Sequence, residues 1–251
     1  MHTSDEQVIE DDGVATLRPE TESQYEIPDE LLPSLNLFGV EVVSDKNWFY
    51  KLSFSEKLLN DAHINVIFYY LRKKDKYSPP SNYTYTTVDC VFKIKVAELW
   101  EKLMTGVPWH TVDHVLIPLH VKEQFYWVLV VVSFLDRCLY VYDSYNSTIH
   151  DVYVKIEVQK FTEVIPSFLL NIDFYKKKIN IDWQCHPKYR NRDESDSFEV
   201  IFVNDIPQQI SGSMDCGIYV ATYAEFLTGG QGVPNQEFDI ALLYTRYATL
   251  L

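Results

Sequence analysis

The stretch from Gln208 to Gly217 holds the residue types with the clearest chemical potential in this chain. Cys216 stands at the start of an almost continuously apolar run, which predicts a buried helix over residues 216–227. A thiol at a helix N-terminus faces the positive end of the helix dipole, which stabilises a thiolate nucleophile. A glutamine just upstream can donate to a developing oxyanion. The stretch therefore indicates thiol chemistry, against the alternative that Cys216 is an ordinary core residue.

The other three cysteines do not indicate a second site. Cys90, Cys138 and Cys185 form no CxxC pair and no zinc-like group with histidines. In a reducing compartment each is expected to be a small buried residue without a disulfide partner. We therefore expect no disulfide, no metal and no cofactor.

The elements that must position Cys216 predict an α+β domain. Apolar residues spaced by three and four predict a helix over Asp61–Lys74. The valine-rich run Trp127–Phe134 predicts a strand buried on both faces, returning as a strand over Cys138–Tyr142. Helices on either side of a mostly antiparallel sheet define the class. The other predicted elements are helices over Ile94–Met104 and about 155–170, strands over Val115–Leu119 and Phe198–Val203, and a polar loop over 187–197.

Three blocks of the sequence occur in an informative order. They are Leu59-Asn60-Asp61 with the helix that follows, Ile117-Pro118 with Trp127 through Asp143-Ser144, and Pro207 through Tyr219. Together they resemble the Ulp-type cysteine proteases that process and remove SUMO and similar ubiquitin-like modifiers, over residues 45–228. The resemblance implies a papain-like fold, with the nucleophile at the N-terminus of a buried helix. It also implies hydrolysis after a modifier's C-terminal glycine, with SUMO or another such modifier and its conjugates as partners.

The resemblance also implies roles for individual residues. The catalytic cysteine falls on Cys216 and its orienting aspartate on Asp143. The oxyanion glutamine falls on Gln209 or on Gln208, because the loop before Cys216 is one residue longer than usual. The substrate-binding positions are Trp127, Gly217 and Leu58. In the family two tryptophans clamp the modifier tail; Trp127 matches one, Leu58 stands at the other, and Trp48 is expected to be core.

Position 126 departs from the family pattern. The residue before Trp127 is the catalytic histidine in the family, and here it is Tyr126. A phenol with a pKa of about 10 is ionised in about one molecule in a thousand at pH 7, so it does not replace imidazole as the base. We expect Tyr126 to fill the vacated space and to hydrogen-bond Asp143. The resemblance therefore implies a peptidase of impaired activity, and the alternative is an inactive pseudoprotease that binds a modifier.

The histidines offer one possible substitute base. His120 lies at the end of the preceding strand, and a fold of the loop between it and Tyr126 could bring it to Cys216. That alternative stays open from the sequence. His110, His114 and His150 are expected to be ordinary polar surface residues.

Charge divides the chain into two regions. Residues 1–30 hold ten acidic side chains and one base, Arg18, within a chain of net charge −14. Residues 1–35 are therefore predicted to be a disordered acidic arm, and residues 36–251 the protease domain. The chain has no basic stripe and no apolar run of membrane-spanning length, so we expect neither nucleic-acid nor membrane binding. We expect an intracellular monomer in the cytoplasm or nucleus, the nucleus on the resemblance alone.

Overall fold

The computed structural model describes residues 35–37, 39–43, 46–55, 57–77, 84–90, 92, 107–121, 125–145 and 147–250. The predicted acidic arm over 1–35, apart from its last residue, and the predicted helix Ile94–Met104 lie outside these residues. The elements, in chain order, are β1 Leu35–Leu37, β2 Glu41–Val43, α1 Lys46–Ser53, α2 Asp61–Tyr77, β3 Tyr85–Thr87, the 3-10 turn Trp109–Thr111, β4 His114–Val121, β5 Tyr126–Ser133, β6 Cys138–Tyr142, α3 Thr148–Asn171, α4 Phe174–Lys177, β7 Glu199–Phe202, α5 Cys216–Thr228 and α6 Ile240–Leu250.

A five-stranded sheet forms the centre of the described part of the chain, in the order β3-β4-β5-β6-β7. The two long ladders, β4 with β5 and β5 with β6, are antiparallel, and the short ladders at the two edges are parallel. Every residue of β5 is buried, as its valine-rich sequence predicts. The α+β class with a mainly antiparallel centre is therefore confirmed.

The helix that begins at Cys216 is the central helix of the core. Its first ten residues, from Cys216 to Glu225, are all buried, because it packs on β5 and on α2. The helix ends before two glycines. Gly230, with φ at +71°, adopts the left-handed conformation, while Gly229 does not. A left-handed glycine, Gly230, therefore follows the C-terminal end of this helix.

Several predicted elements match the structure closely. Strand β6 has the predicted bounds, and α2 begins at the predicted Asp61 and runs three residues further than predicted. The helix α3 begins seven residues before the predicted 155. The sequence reasoning did not predict α1 or α6, which pack against each other.

A buried carboxylate ties three helices together at the C-terminal end of α5. Glu225 accepts hydrogen bonds from Lys74 of α2 at 3.1 Å, and from Arg246 and Tyr247 of α6 at 2.5 and 3.0 Å. Burial opposes the charged form, but the bonds from Arg246 and Lys74 outweigh it and hold the pKa of Glu225 below its ordinary value. The C-terminal end of α5 is thus joined to α2 and α6 through one carboxylate that accepts three hydrogen bonds. Among the described helices, none is long and apolar enough to cross a bilayer.

Candidate active site

Cys216 is the first residue of α5, and only 2 % of its surface is exposed. Burial raises the pKa of its thiol to about 12, although hydrogen bonds from the backbone N–H groups of Trp127 and Gly217 act in the opposite direction. The sequence argument that the helix start favours a thiolate is therefore outweighed here, because desolvation penalises the charged form more strongly than the helix end stabilises it.

Asp143 directly follows β6, and its carboxylate is already hydrogen-bonded. Oδ1 accepts from the backbone N–H of Tyr145 at 3.0 Å. Nε2 of His150 lies 3.1 Å from Oδ2 and 3.3 Å from Oδ1. His150 sits in the first turn of α3, where its backbone N–H donates to the Ser147 hydroxyl, and it is 4 % exposed. The expectation that His150 is a surface residue was wrong.

Tyr126 is the first residue of β5 and its side chain is buried. Its hydroxyl lies 2.8 Å from Oγ of Ser144, and its ring packs edge-on against His150 with centroids 4.3 Å apart. The expected hydrogen bond to Asp143 is not formed: the Tyr126 hydroxyl pairs with Ser144, and the carboxylate pairs with Tyr145 and His150. Burial first, and the nearby Asp143 charge second, raise the pKa of Tyr126 above its ordinary value. The phenol therefore stays protonated at neutral pH.

His120 lies on the other side of the sheet from Tyr126. It pairs directly with Trp127 across β4 and β5, and the two rings stack with centroids 4.3 Å apart. Side chains alternate along a strand, so Trp127 and Tyr126 point to opposite faces and His120 shares the face of Trp127. Its Nδ1 is 3.5 Å from the Asp61 carboxylate. His120 makes no hydrogen bond to Cys216, and the geometry does not favour it as a substitute base.

The two candidate oxyanion glutamines differ in what their amides already bind. The side-chain nitrogen of Gln208 donates to the backbone carbonyl of Asp143 at 2.9 Å. Gln209 is buried, and its backbone N–H donates to the Ser144 carbonyl at 2.7 Å. Its side-chain nitrogen has one long contact, 3.5 Å to the Ser213 carbonyl, and its Oε1 has no hydrogen-bond partner among the described residues. The geometry favours Gln209, because its amide is the less committed of the two.

Of the three residues expected to bind substrate, Trp127 and Gly217 are buried and Leu58 is half-buried. Trp127 has no exposed surface and donates from its indole nitrogen to the Leu59 carbonyl at 2.8 Å. A Cβ at Gly217 would lie 2.9 Å from Cβ of Leu59, so only glycine allows this close approach. Leu58 is half-buried against the core. Leu59 thus contacts both Trp127 and Gly217.

A cavity of about 610 Å³ lies beside the loop that precedes Cys216. Its walls include Ile210, Met214, Tyr219 and Phe238, and Cys216 is not among its lining residues. The cavity reaches Asp215, the residue before Cys216, but is not lined by the thiol itself.

The fold thus brings the Asp143 carboxylate close enough to the Cys216 thiol to act on it electrostatically, and the His150 imidazole is hydrogen-bonded to that carboxylate. Within the described ranges no histidine is hydrogen-bonded to Cys216, and no group of three or more His, Cys, Asp or Glu residues could hold a metal ion. The sequence reasoning missed His150 and Ser144. Ser144 adjoins Asp143 in sequence but was given no role, and no short-range pattern links His150 to the site, because the chain between β6 and α3 must fold before His150 meets Asp143.

Comparisons with known proteins agree with this architecture. A family model described as "Ulp1 protease family, C-terminal catalytic domain" matches residues 57–250. No curated protein matches the chain by sequence.

Three solved structures are similar in fold. A SUMO protease Ulp1 with its catalytic cysteine oxidised to a sulfinic acid is 16% identical, with a TM-score of 0.56 and 88% of each chain covered. The Ulp1-like SUMO protease catalytic domain of Chaetomium thermophilum is 17% identical, with a TM-score of 0.54 over 93% of this chain and 88% of that one. The C-terminal Ulp1 protease domain in complex with Smt3, the yeast ortholog of SUMO, is 16% identical, with a TM-score of 0.52 over 87% and 95%.

Proposed function

The chain belongs to the Ulp1 protease family, and we propose that it is a SUMO-type cysteine peptidase whose turnover is strongly impaired at position 126. The observation that carries the proposal is the state of Tyr126. Its hydroxyl is bonded to Ser144, and its pKa is raised above its ordinary value by burial. The group next to Trp127, where the family resemblance calls for a histidine, thus cannot take the proton of the Cys216 thiol at neutral pH.

The remaining groups support the chemistry of a thiol hydrolase. In the proposed reaction Cys216 attacks the carbonyl of a modifier's C-terminal glycine, and the Gln209 amide donates to the oxyanion. Both thiolate formation and protonation of the leaving amine need an acid–base group beside the sulfur. Loss of one member of a catalytic triad lowers kcat by roughly 10⁴- to 10⁶-fold. We expect residual turnover of that order below an intact relative.

The proposed partner is SUMO or another ubiquitin-like modifier with a C-terminal glycine. Support comes from the family match and from the similar Ulp1 domain, which was solved in complex with Smt3. Trp127 has no exposed surface, donates to the Leu59 carbonyl and stacks on His120. Binding of a tail at Trp127 therefore requires the residues that cover it to move. The clamp residue opposite Trp127 would be Leu58, which offers less contact area than a tryptophan.

The second candidate function is a pseudoprotease that binds a modifier without cleaving it. The observation that favours it is the closed thiol, because Cys216 is 2 % exposed and its pKa is about 12. A thiol in that state is almost wholly protonated at pH 7. Under this function the site would select the modifier tail by shape and hydrogen bonding alone.

The test is hydrolysis of a SUMO C-terminal coumarin amide by the full chain, beside calorimetric binding of SUMO and of ubiquitin. Cys216→Ala is the active-site control, and Cys185→Ala is the matched control at an exposed cysteine. Slow hydrolysis that only Cys216→Ala abolishes supports the impaired peptidase. Saturable binding without hydrolysis supports the pseudoprotease. If neither modifier binds or is cleaved, modifier recognition is wrong.

A further inference from the structure

His150 and Asp143 form a buried, hydrogen-bonded pair. The side chains of the two residues are 5 % and 12 % exposed, so their hydrogen bonds are shielded from water. A carboxylate only accepts hydrogen bonds, so Nε2 of His150 must be the donor. It lies almost evenly between Oδ2 at 3.1 Å and Oδ1 at 3.3 Å. Nε2 of His150 is thus within hydrogen-bond distance of both carboxylate oxygens.

The position of His150 is fixed by its surroundings as well as by Asp143. Its backbone N–H donates to Oγ of Ser147, which is the N-cap of α3. Its ring meets the edges or faces of two aromatic rings, Tyr126 at 4.3 Å and Tyr145 at 5.4 Å between centroids. The His150 side chain is therefore held in one position by its helix, by two aromatic rings and by a carboxylate.

We infer that His150 is a positioning residue that holds the Asp143 carboxylate and so prevents it from orienting a side chain at position 126. The site therefore carries two separate defects. The first is Tyr126, and the second is the Asp143–His150 pair. The inference rests on the proposed function, since it concerns what the same site would need in order to react. It implies that Tyr126→His alone restores little.

The physical reason lies in what a triad carboxylate does. It fixes the tautomer and orientation of the catalytic imidazole and stabilises the imidazolium that forms. In this chain Oδ1 already accepts from the Tyr145 backbone, and both oxygens face His150. An imidazole introduced at position 126 would compete with His150 for Oδ2 and would meet its ring at the place where Tyr126 now packs.

The experiment compares full-length variants by the rate at which iodoacetamide alkylates Cys216 between pH 6 and 9. Mass spectrometry of the peptide that carries Cys216 gives the rate, and the readout needs no modifier. We expect Tyr126→His combined with His150→Leu to react about tenfold or more faster at pH 7 than Tyr126→His alone. Losing the orienting carboxylate of a triad costs about 10⁴-fold, so partial recovery of this size is within reach.

Two further variants separate positioning from mere loosening of the site. Adding Asp143→Asn to the double variant should abolish the gain, because the gain depends on the released carboxylate. Tyr126→His with His150→Gln should stay slow, because glutamine keeps an N–H donor near the place of Nε2. The gain from His150→Leu should also be larger beside Tyr126→His than with Tyr126 in place.

The opposite results overturn the inference. An equal or slower rate in the double variant means that His150 does not compete for Asp143, and a gain that survives Asp143→Asn means that it acts by opening the site. If His150→Leu does not fold, His150→Asn serves instead, since asparagine is too short to reach Asp143.

Hydrolysis of the SUMO coumarin amide by the same variants keeps the two proposals apart. If alkylation follows the expected order but no variant cleaves SUMO, the proposed substrate fails and the inference stands. If Tyr126→His alone cleaves SUMO as fast as the double variant, the inference fails and the proposed function stands.

Discussion

The two ends of α5 differ in how completely their buried polar groups are hydrogen-bonded. At the C-terminal end the Glu225 carboxylate is matched by Lys74, Arg246 and Tyr247. At the N-terminal end the Cys216 thiol is buried without an imidazole, and the Oε1 of Gln209 has no hydrogen-bond partner among the described residues. The first end is arranged for stability.

The difference shows how one helix serves two purposes. Burial of an unmatched polar group costs free energy, so a site that keeps such groups must be supported from elsewhere. In this chain the Glu225 carboxylate, which accepts hydrogen bonds from three side chains at the opposite end of the same helix, contributes part of the stabilising free energy. Changes at the Glu225 end should therefore alter stability, and changes at the Cys216 end should alter reactivity or local packing.

The largest expected effect is the loss of the Glu225 cluster. Glu225→Ala should lower the free energy of unfolding by about 3 kcal/mol, because a buried charge with three partners is removed and α6 loses its tie to α5. Urea denaturation measures the change. Glu163→Ala on the exposed side of α3 is the matched control, with an expected change within about 0.5 kcal/mol. Equal losses in the two variants would contradict the structural role of the cluster.

The second effect concerns thiol reactivity at the other end. Iodoacetamide should alkylate Cys216 of the unmodified chain at least about 100-fold more slowly than the exposed Cys185 at pH 8, because the thiolate is the nucleophile and each pKa unit is tenfold in thiolate. The rate at Cys216 should rise with pH up to pH 9.5 without a plateau, as a pKa of about 12 requires. A plateau near pH 7 would mean that a base reaches the sulfur after all.

The third effect is steric. Gly217→Ala should cost about 1–3 kcal/mol of unfolding free energy, because its Cβ would lie 2.9 Å from Cβ of Leu59. Gly232→Ala is the matched control, since a Cβ there meets no atom within 4 Å. If the two glycine variants are equally stable, the segment around Leu59 moves at little cost in free energy. The site then opens more readily than its burial indicates.

The smallest effect is the pH dependence of the Glu225 cluster. The folded-state pKa of Glu225 lies below its ordinary value of 4.5, so its charge stabilises the fold above that pH, and this stabilisation is lost as the pH falls through the folded-state pKa. The difference in unfolding free energy between the unmodified chain and Glu225→Gln should be full at pH 7 and shrink below about pH 4.5. A difference that grows on acidification would reverse the assigned direction of the pKa shift.

Much of the fold could be predicted from local pattern. The apolar run after Cys216 and the valine run after Trp127 have the periods of a buried helix and a buried strand, and both elements formed where they were expected. The helices α1 and α6 were missed: α1 is amphipathic but has only eight residues, and α6 packs on α1. The edge strand β3 has three residues, too few to carry a pattern.

The sequence by itself determined the order of the chemical groups. Cys216 before an apolar helix, Asp143 after a strand and Tyr126 before Trp127 can all be read from the sequence, and the resemblance that they carry indicates the family. These features are local, since the patterns that indicate a buried helix or strand lie within a few neighbouring residues.

Only the tertiary structure decided how those groups pair. It joined Asp143 to His150, turned Tyr126 to Ser144, and left the amide of Gln209 less committed than that of Gln208. It also buried the thiol deeply enough that desolvation outweighs the helix end. Hydrogen-bond partners and burial depend on distances between segments that are remote in sequence or joined by turns, and residue spacing alone does not fix those distances.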